Sequence, residues 1–399
     1  MRVVVASPFV PWPLENGGAI RNYNLLRHAA RDVEIDLLAV SSGNDAPDTQ
    51  AALSEIVARA EILPRSRPSL ARRWLGPKIE RWFASAALRE RLTSLDSSGA
   101  VDLFELHELP VVRNLPRAHN TPVMVHHHKI ETDLAARLAG SRPNATERFD
   151  AAKLARLEAD AARRYRHHLT CSDEDRAVLL GRYPDLDVCT LPSGYDDDFF
   201  TPDDTERDAA TILFLGSMSY GPNVDGVLWF TSEILPLIHE RVPQARLRIV
   251  GRDPVREVRA LASEKIEVTG AVDDVRPALR SASLLAVPLR VGGGTRLKIV
   301  EGMGTATPLV STTIGAEGLG LNDPDHLRLG DSPAAFATAV IELLSDPAGA
   351  RELGRRGREV VSERFRWPDL AARLVDHWRR VASEGRFSGQ DRGSSGFGA

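Results

Sequence analysis

Residues 290–301 read Arg290-Val291-Gly292-Gly293-Gly294-Thr295-Arg296-Leu297-Lys298-Ile299-Val300-Glu301, the most chemically informative stretch of the chain. Glycines at 292, 293 and 294 let a ligand approach the backbone closely and leave N–H groups unobstructed. A helix beginning near Leu297 would add its positive dipole end, and the combination suits an anion such as a diphosphate. Thr295 adds a hydroxyl, and Arg296 and Lys298 add full positive charge. Glu301 lies one helical turn beyond Lys298, within reach of a ribose hydroxyl pair. The plainer alternative is a glycine-rich turn whose charges face solvent, since such turns are common. The spacing is not that of a phosphate-binding Walker loop, because no Gly-Lys-Ser/Thr follows at the required distance.

A second glycine pair, Gly17-Gly18, follows the first apolar run. It reads either as a tight turn or as a loop open to a ligand, and it lacks the G-x-G-x-x-G dinucleotide fingerprint. Seven of the eleven histidines fall between residues 107 and 168, including His126-His127-His128. On a strand end, His126 and His128 share a face. His107, Glu108 and Glu131 are further potential ligands, but no zinc spacing is matched and no metal is expected. A histidine at the carboxyl end of a strand suits a substrate hydroxyl, and at least one of the three should be structural. Residues 65–92 carry eight arginines or lysines against two glutamates, with Trp74, Trp82, Phe83 and Leu88 interleaved. The segment is either a face meeting anionic lipid or a large acceptor, or the solvated face of an insertion with its aromatics in the core. The second is favoured, because net charge alone says little about lipid.

The elements that must position these groups alternate. Val3–Ala6 reads as a buried strand, Arg21–Ala30 as a helix and Ile35–Val40 as a second strand, a βαβ unit with a parallel sheet. Strand-like runs recur at Val101–Glu105, Val123–Val125 and Leu169–Cys171. The longest helix, Ala145–Tyr165, has apolar residues at Phe149, Leu154, Leu157 and Ala161. A second series opens at Thr211–Gly216. It continues through a helix Val224–Ile238, strands Arg246–Val250, Ile266–Thr269 and Leu284–Pro288, and Leu309–Ser311. The break is expected near Pro192–Asp198, where proline, glycine and an acidic run make a hinge. Past residue 384 the chain is polar and glycine-rich and is expected to be disordered.

At 399 residues the chain is long enough for two or three domains of roughly 150 residues. Its net charge of −4 excludes a global nucleic-acid footprint. The two cysteines, Cys171 and Cys189, exclude a disulfide scaffold and read as small buried hydrophobes. There are 5 lysines against 46 arginines, which reads as the codon bias of a GC-rich genome and makes each lysine worth inspecting. No apolar window reaches about 18 residues, and the opening run is too short for a signal peptide. The expected location is cytoplasmic, with weak peripheral contact at the inner membrane face through 65–92. A serine hydrolase is excluded by the missing Gly-x-Ser-x-Gly elbow.

As an ordered set, several stretches resemble the bacterial family 4 retaining glycosyltransferases of the GT-B fold. They are Pro11-Trp12-Pro13 through Gly17-Gly18 and Arg21, His128–Asp133, Cys171–Asp175, Leu191–Asp196, Phe214–Met218 with Pro222-Asn223, Ile249–Gly251, Val268–Gly270, the loop to Glu301, and Gly315–Gly318. The similarity spans roughly Arg2 to Trp378. It implies an α/β fold of two Rossmann-like domains whose parallel sheets face across a cleft. Residues 1–195 would form an acceptor-side domain and 196–365 a nucleotide-sugar domain. A helix over 366–384 would cross back to the first domain, with a tail at 385–399.

The resemblance also implies roles. Gly17 and Gly18 would approach the donor diphosphate and acceptor, and His128 would contact the donor sugar at the reaction centre. Gly216 and Ser217 would face the phosphates, Arg252 would border the base, and Glu301 would bind the ribose. Arg296, Lys298 and the backbone of Gly292, Gly293, Gly294 and Thr295 would stabilise the leaving diphosphate. The chain departs from the family's Glu-x7-Glu motif, because Gly293 occupies the first glutamate position. The Arg/Lys pair usual after the second domain's first strand is also absent, and a Gly-Gly-Gly-Thr-Arg-Leu-Lys subgroup would supply that charge from Arg296 and Lys298. The implied reaction moves a sugar from a nucleotide-diphosphate sugar to a hydroxyl acceptor (a glycan, lipid-linked or small natural product) with retention of configuration. A phosphate oxygen would take the acceptor proton, and no cofactor or metal is required. The alternatives are an NDP-sugar epimerase on the same scaffold, or a catalytically silent binding protein.

Overall fold

The computed structural model describes residues 1–66, 76–79, 83–139, 144–292 and 294–393. The chain divides into two compact units, Met1–Pro192 with Pro368–Ala399, and Ser193–Trp367.

The first unit is built on seven parallel strands: β1 (Arg2–Ser7), β2 (Glu34–Val40), β3 (Arg59–Leu63), β4 (Leu103–His107), β5 (Val123–His126), β6 (His167–Thr170) and β7 (Asp187–Thr190). Their order is β3-β2-β1-β4-β5-β6-β7. Val3, Val4, Val5 and Ala6 are wholly buried, as in a central strand covered on both faces. The helix Gly17–Ala29 starts where Asn16 caps it, accepting from Ala19 N at 3.0 Å. The long helix Ala145–Arg164 opens with a capping box between Asn144 and Glu147. It buries Leu154, Leu157 and Ala161, but Phe149 stands 61% exposed with the Lys153 ammonium 4.4 Å from its ring. Phe149 is therefore not core. At 100° per residue it lies about 80–140° round the helix from Leu154, Leu157 and Ala161.

The second unit carries β8 (Thr211–Leu215), β9 (Arg246–Val250), β10 (Ile266–Gly270), β11 (Leu284–Val287), β12 (Leu309–Ser311) and β13 (Arg328–Leu329), in the order β10-β9-β8-β11-β12-β13. Alternate residues feed opposite cores. Ile212 and Phe214 join one cluster and Leu213 and Leu215 the other. The expected single helix Val224–Ile238 is a helix Gly221–Trp229, a π turn Phe230–Ile234 and a helix Leu235–Arg241. Pro236 is the cause, since it has no N–H to give to the preceding turn. Strands β3, β7, β10 and β13 lie at sheet edges.

The final helix runs from Trp367 to Gly393, past the point where disorder was expected. Once a helix is nucleated, each further residue adds a hydrogen bond at modest cost, even through glycine. Of the basic segment 65–92, Trp74 and Trp82 lie outside the described residues. Leu88 and Leu92 are buried, and Arg91 pairs with Glu61 at 2.6 Å. No described helix is long and apolar enough to cross a membrane.

Candidate active site

In an open parallel sheet, ligands bind beyond the carboxyl ends of the strands where the strand order reverses. In the second unit that point lies between β8 and β11. Strand β8 ends in Gly216, whose φ of 153° favours glycine. A Cβ there would lie 2.6 Å from Asn223 Nδ2 and 2.8 Å from Lys298 Nζ. Gly251 is packed so closely that a Cβ would lie 1.7 Å from Gly216 O. Strand β11 leads through Pro288 and the glycine loop to the helix Leu297–Gly304.

Lys298 and Glu301 both project from that helix. Lys298 Nζ donates to Asn223 Oδ1 at 2.9 Å and stands 5.2 Å from the Phe214 ring. Burial lowers Lys298 to about 7, with Arg296 lowering it further and Glu301 opposing. Burial raises Glu301 to about 7 against the pull of Lys298. The site thus holds a cation and a carboxylate that both titrate near neutrality. Such perturbation is common where a charged ligand completes the electrostatics.

Arg296 serves the loop itself. It is only 9% exposed, and its guanidinium donates to Gly294 O and to Ile314 O, the latter at 3.2 Å. Gly294 has a left-handed φ of 69°. Thr295 Oγ1 accepts from Ser193 N at 3.3 Å. Ser217 contributes its carbonyl to Asn223 Nδ2 at 2.9 Å and its hydroxyl to a contact with Ser219. Arg252 lies beyond β9, 3.9 Å from Asp253. Gly293 lies outside the described residues.

The first unit reverses its order between β1 and β4. Gly17 and Gly18 form the first turn of the helix that follows β1, and a Cβ on Gly18 would meet the Phe9 ring at 2.9 Å. At the ends of β4 and β5, His107, His126 and His128 converge, and His128 is nearly buried. Beneath them is Glu105, fully buried, 2.6 Å from His126 Nδ1 and 3.2 Å from His107 Nε2. His128 Nε2 is 3.2 Å from His107 Nδ1. Burial holds His126 down at about 3, with His107 adding to the effect and Glu105 opposing. Burial also lowers His128, helped by the neighbouring rings. Both rings are therefore neutral near pH 7.

These three histidines bring potential ligand atoms within 4.8 Å of one another. They do not fit a cation as they stand. Arg21 Nη2 is 3.0 Å from His126 Nε2, so a guanidinium already occupies that lone pair. Arg21 is held there by Pro192 O at 2.6 Å and Leu191 O at 2.7 Å.

His127 points to the opposite face and stacks on His168, Nε2 to Nδ1 at 2.9 Å; it is the structural member of the trio. Glu108 follows β4 with φ of 65°, a conformation costing about 1–3 kcal/mol. Its carboxyl is raised to about 8 by burial and by Glu131, against Lys129, whose Nζ is 2.9 Å away.

Sequence reasoning did not assign Glu105, Asn223 or Trp378 to a site. Glu105 had a readable signal, being an acid inside a strand buried on both faces, where a charge needs partners. Trp378 had none, because its partner is 273 residues away.

Residues 209–346 match the family described as Glycosyl transferases group 1. A GDP-mannose-dependent alpha-(1-6)-phosphatidylinositol monomannoside mannosyltransferase of Mycobacterium tuberculosis is 31% identical over 215 residues, 47% of this chain and 55% of the relative. The chain spans about half the length of the curated relatives it matches. The solved sucrose-phosphate synthase of Thermosynechococcus elongatus superposes with a TM-score of 0.74 at 17% identity, covering 96% of this chain and 100% of that one. HepE of Anabaena, in complex with UDP and glucose, gives 0.68 at 13% identity, covering 94% and 98%. These likenesses show the fold: an α/β chain of the GT-B type with two Rossmann-like units.

Proposed function

We propose that the protein is a retaining glycosyltransferase, moving a sugar from a nucleotide-diphosphate sugar to a hydroxyl acceptor. One observation carries the reading. Lys298, held by Asn223, is aimed at the backbone of Gly216 at a sheet switch point, inside the stretch that matches the glycosyl transferases. Glycine at 216 leaves the room that a diphosphate needs, and Lys298 supplies the charge. The mannosyltransferase relative and the UDP-bound neighbour support a nucleotide-sugar donor.

The chemistry follows from charge. As the anomeric C–O bond breaks, negative charge grows on the leaving diphosphate. Preorganised donors at that position lower the barrier by several kcal/mol. Lys298 and the N–H groups of the glycine loop take this role, while Arg296 fixes the shape of the loop. Glu301 accepts from the ribose hydroxyls. The acceptor hydroxyl attacks from the leaving-group face, and a phosphate oxygen takes its proton. A missing carboxylate at Gly293 is compatible with that route, because no side-chain base is used. The resemblance of the sequence assigns His128 a hydroxyl of the transferred sugar.

The test is a thermal-shift screen against UDP, GDP, dTDP, ADP and their sugar conjugates, then turnover with the donor that binds. One nucleotude family should raise the melting temperature, by about 2.7 kcal/mol of stability at 100 times its dissociation constant. Lys298→Ala should lose roughly 10²–10³ in kcat with its unliganded melting temperature kept. Full activity in that variant, or silence across the panel, overturns the proposal. Epimerised donor released without any acceptor would assign the site to the epimerase chemistry instead.

A further inference from the structure

Around Glu105 the protons can be counted. Oε2 accepts from Trp378 Nε1 at 2.9 Å, and an indole nitrogen only donates. Oε1 stands 2.6 Å from His126 Nδ1 and 3.2 Å from His107 Nε2. The second contact lies off the hydrogen-bond line, yet a buried anion so near favours a proton over a lone pair. On the far side of His126, Arg21 offers only donors, so Nε2 carries the lone pair and Nδ1 the proton. In His107 a proton on Nε2 leaves the lone pair on Nδ1. His128 Nε2, 3.2 Å away, must then be the donor. Nδ1 of His128 is left with its lone pair, 3.7 Å from Glu108 Oε1. Since Nε2 is spent on His107, Nδ1 is the nitrogen left for a ligand, and a sugar hydroxyl meeting this ring donates to it.

We propose that Glu105 and Trp378 are positioning residues that act through His107 to fix His128 as the Nε2–H tautomer, an obligate acceptor toward substrate. The functional part rests on the placement of His128 at the transferred sugar. The tautomer itself does not.

The wire makes an unusual demand on its variants. In Glu105→Gln each orientation of the amide sets donor against donor: its NH2 meets either Trp378 Nε1–H or His126 Nδ1–H, a tautomer that Arg21 holds from the far side. Adding Trp378→Phe removes the first clash, so the amide oxygen stays on the histidines and the original tautomers are kept.

The experiment uses the full chain labelled with nitrogen-15 histidine and long-range proton–nitrogen spectra at neutral pH. Each ring is assigned by its own His→Gln variant. Wild type should show Nδ1–H for His126 and Nε2–H for His107 and His128. The double variant should keep the wild-type tautomers, and should cost less stability than the sum of Glu105→Gln and Trp378→Phe alone. With a donor found by the screen, kcat should fall about tenfold or more in Glu105→Gln at little change in KM, and recover in the double variant. A wild-type His128 protonated on Nδ1, or a doubly protonated His107, overturns the proposal, as does a double variant in which His107 or His128 carries the other tautomer. Should Glu105→Gln fail to fold, the wild-type spectrum alone decides. Correct tautomers in a protein that transfers no sugar would refute the transferase reading and leave the wire standing.

Discussion

Lys298 and Glu301 make the pH dependence of donor binding a sharp test. Unliganded, burial lowers the lysine to about 7 and raises the glutamate to about 7. A bound diphosphate needs the ammonium, so above neutrality binding must take up a proton and weakens as pH rises. Ribose hydroxyls need the carboxylate, so below neutrality binding must release a proton and weakens as pH falls. Affinity should therefore pass through a maximum near neutral pH. On the alkaline side, the charged lysine falls from about one half at pH 7 to about 3% at pH 8.5, a ~15-fold loss worth roughly 1.6 kcal/mol. Calorimetric titration with a nucleotide sugar reads this cleanly, because its diphosphate diester has no proton of its own to lose in that range. Buffers of different ionisation enthalpy give the proton count directly. Lys298→Met should flatten the alkaline limb, and Glu301→Gln the acid limb. A dissociation constant flat from about pH 6 to pH 9 would refute the reasoning, as would an alkaline limb that survives in Lys298→Met.

Two further substitutions test the frame around that pair. Gly216→Ala places a methyl 2.6 Å from Asn223 Nδ2 and 2.8 Å from Lys298 Nζ at a φ of 153°. It should cost about 1–3 kcal/mol in thermal unfolding and abolish nucleotide-sugar binding, and an unchanged affinity would remove Gly216 from the site. Arg207 donates to four carbonyls, those of Leu279, Ala282, Thr305 and Ala306, at 2.8–3.3 Å, and burial lowers it to about 10. Arg207→Met should destabilise the second unit by about 2–4 kcal/mol, and calorimetry showing an unshifted transition would contradict it.

What could be read from the sequence divides by physical cause. The central strands were legible because burial on both faces demands unbroken apolar runs, as in Val3–Ala6 and Thr211–Leu215. Of the edge strands β10 was read as well, but β3, β7 and β13 were not. Arg59-Ala60-Glu61-Ile62-Leu63 keeps a polar face, and β13 is only two residues long. The loop to Glu301 announced itself because phosphate chemistry needs glycines and cations close together in the chain. Its internal wiring did not, since Arg296 could as well have faced a ligand as the carbonyl of Ile314. The histidine cluster was visible as composition, but its meaning came from Glu105, one acid among Leu103, Phe104 and Leu106. Phe149 is apolar yet exposed, and the spacing explains it, since it lies about 80–140° round the helix from Leu154, Leu157 and Ala161.

The bond from Trp378 to Glu105 also sets an order of events during synthesis. The first unit takes residues from before and after the second, so the second is synthesised while the first is still incomplete. Glu105 emerges from the ribosome 273 residues ahead of its indole donor. At 5–20 residues per second that is a wait of roughly 15–55 s, long enough for the second unit to fold in the interval. Through that time the nascent first unit holds a carboxylate it cannot fully bury, and its docking surface for the terminal helix stays open. Emergence of the helix that carries Trp378 is then the event that closes it.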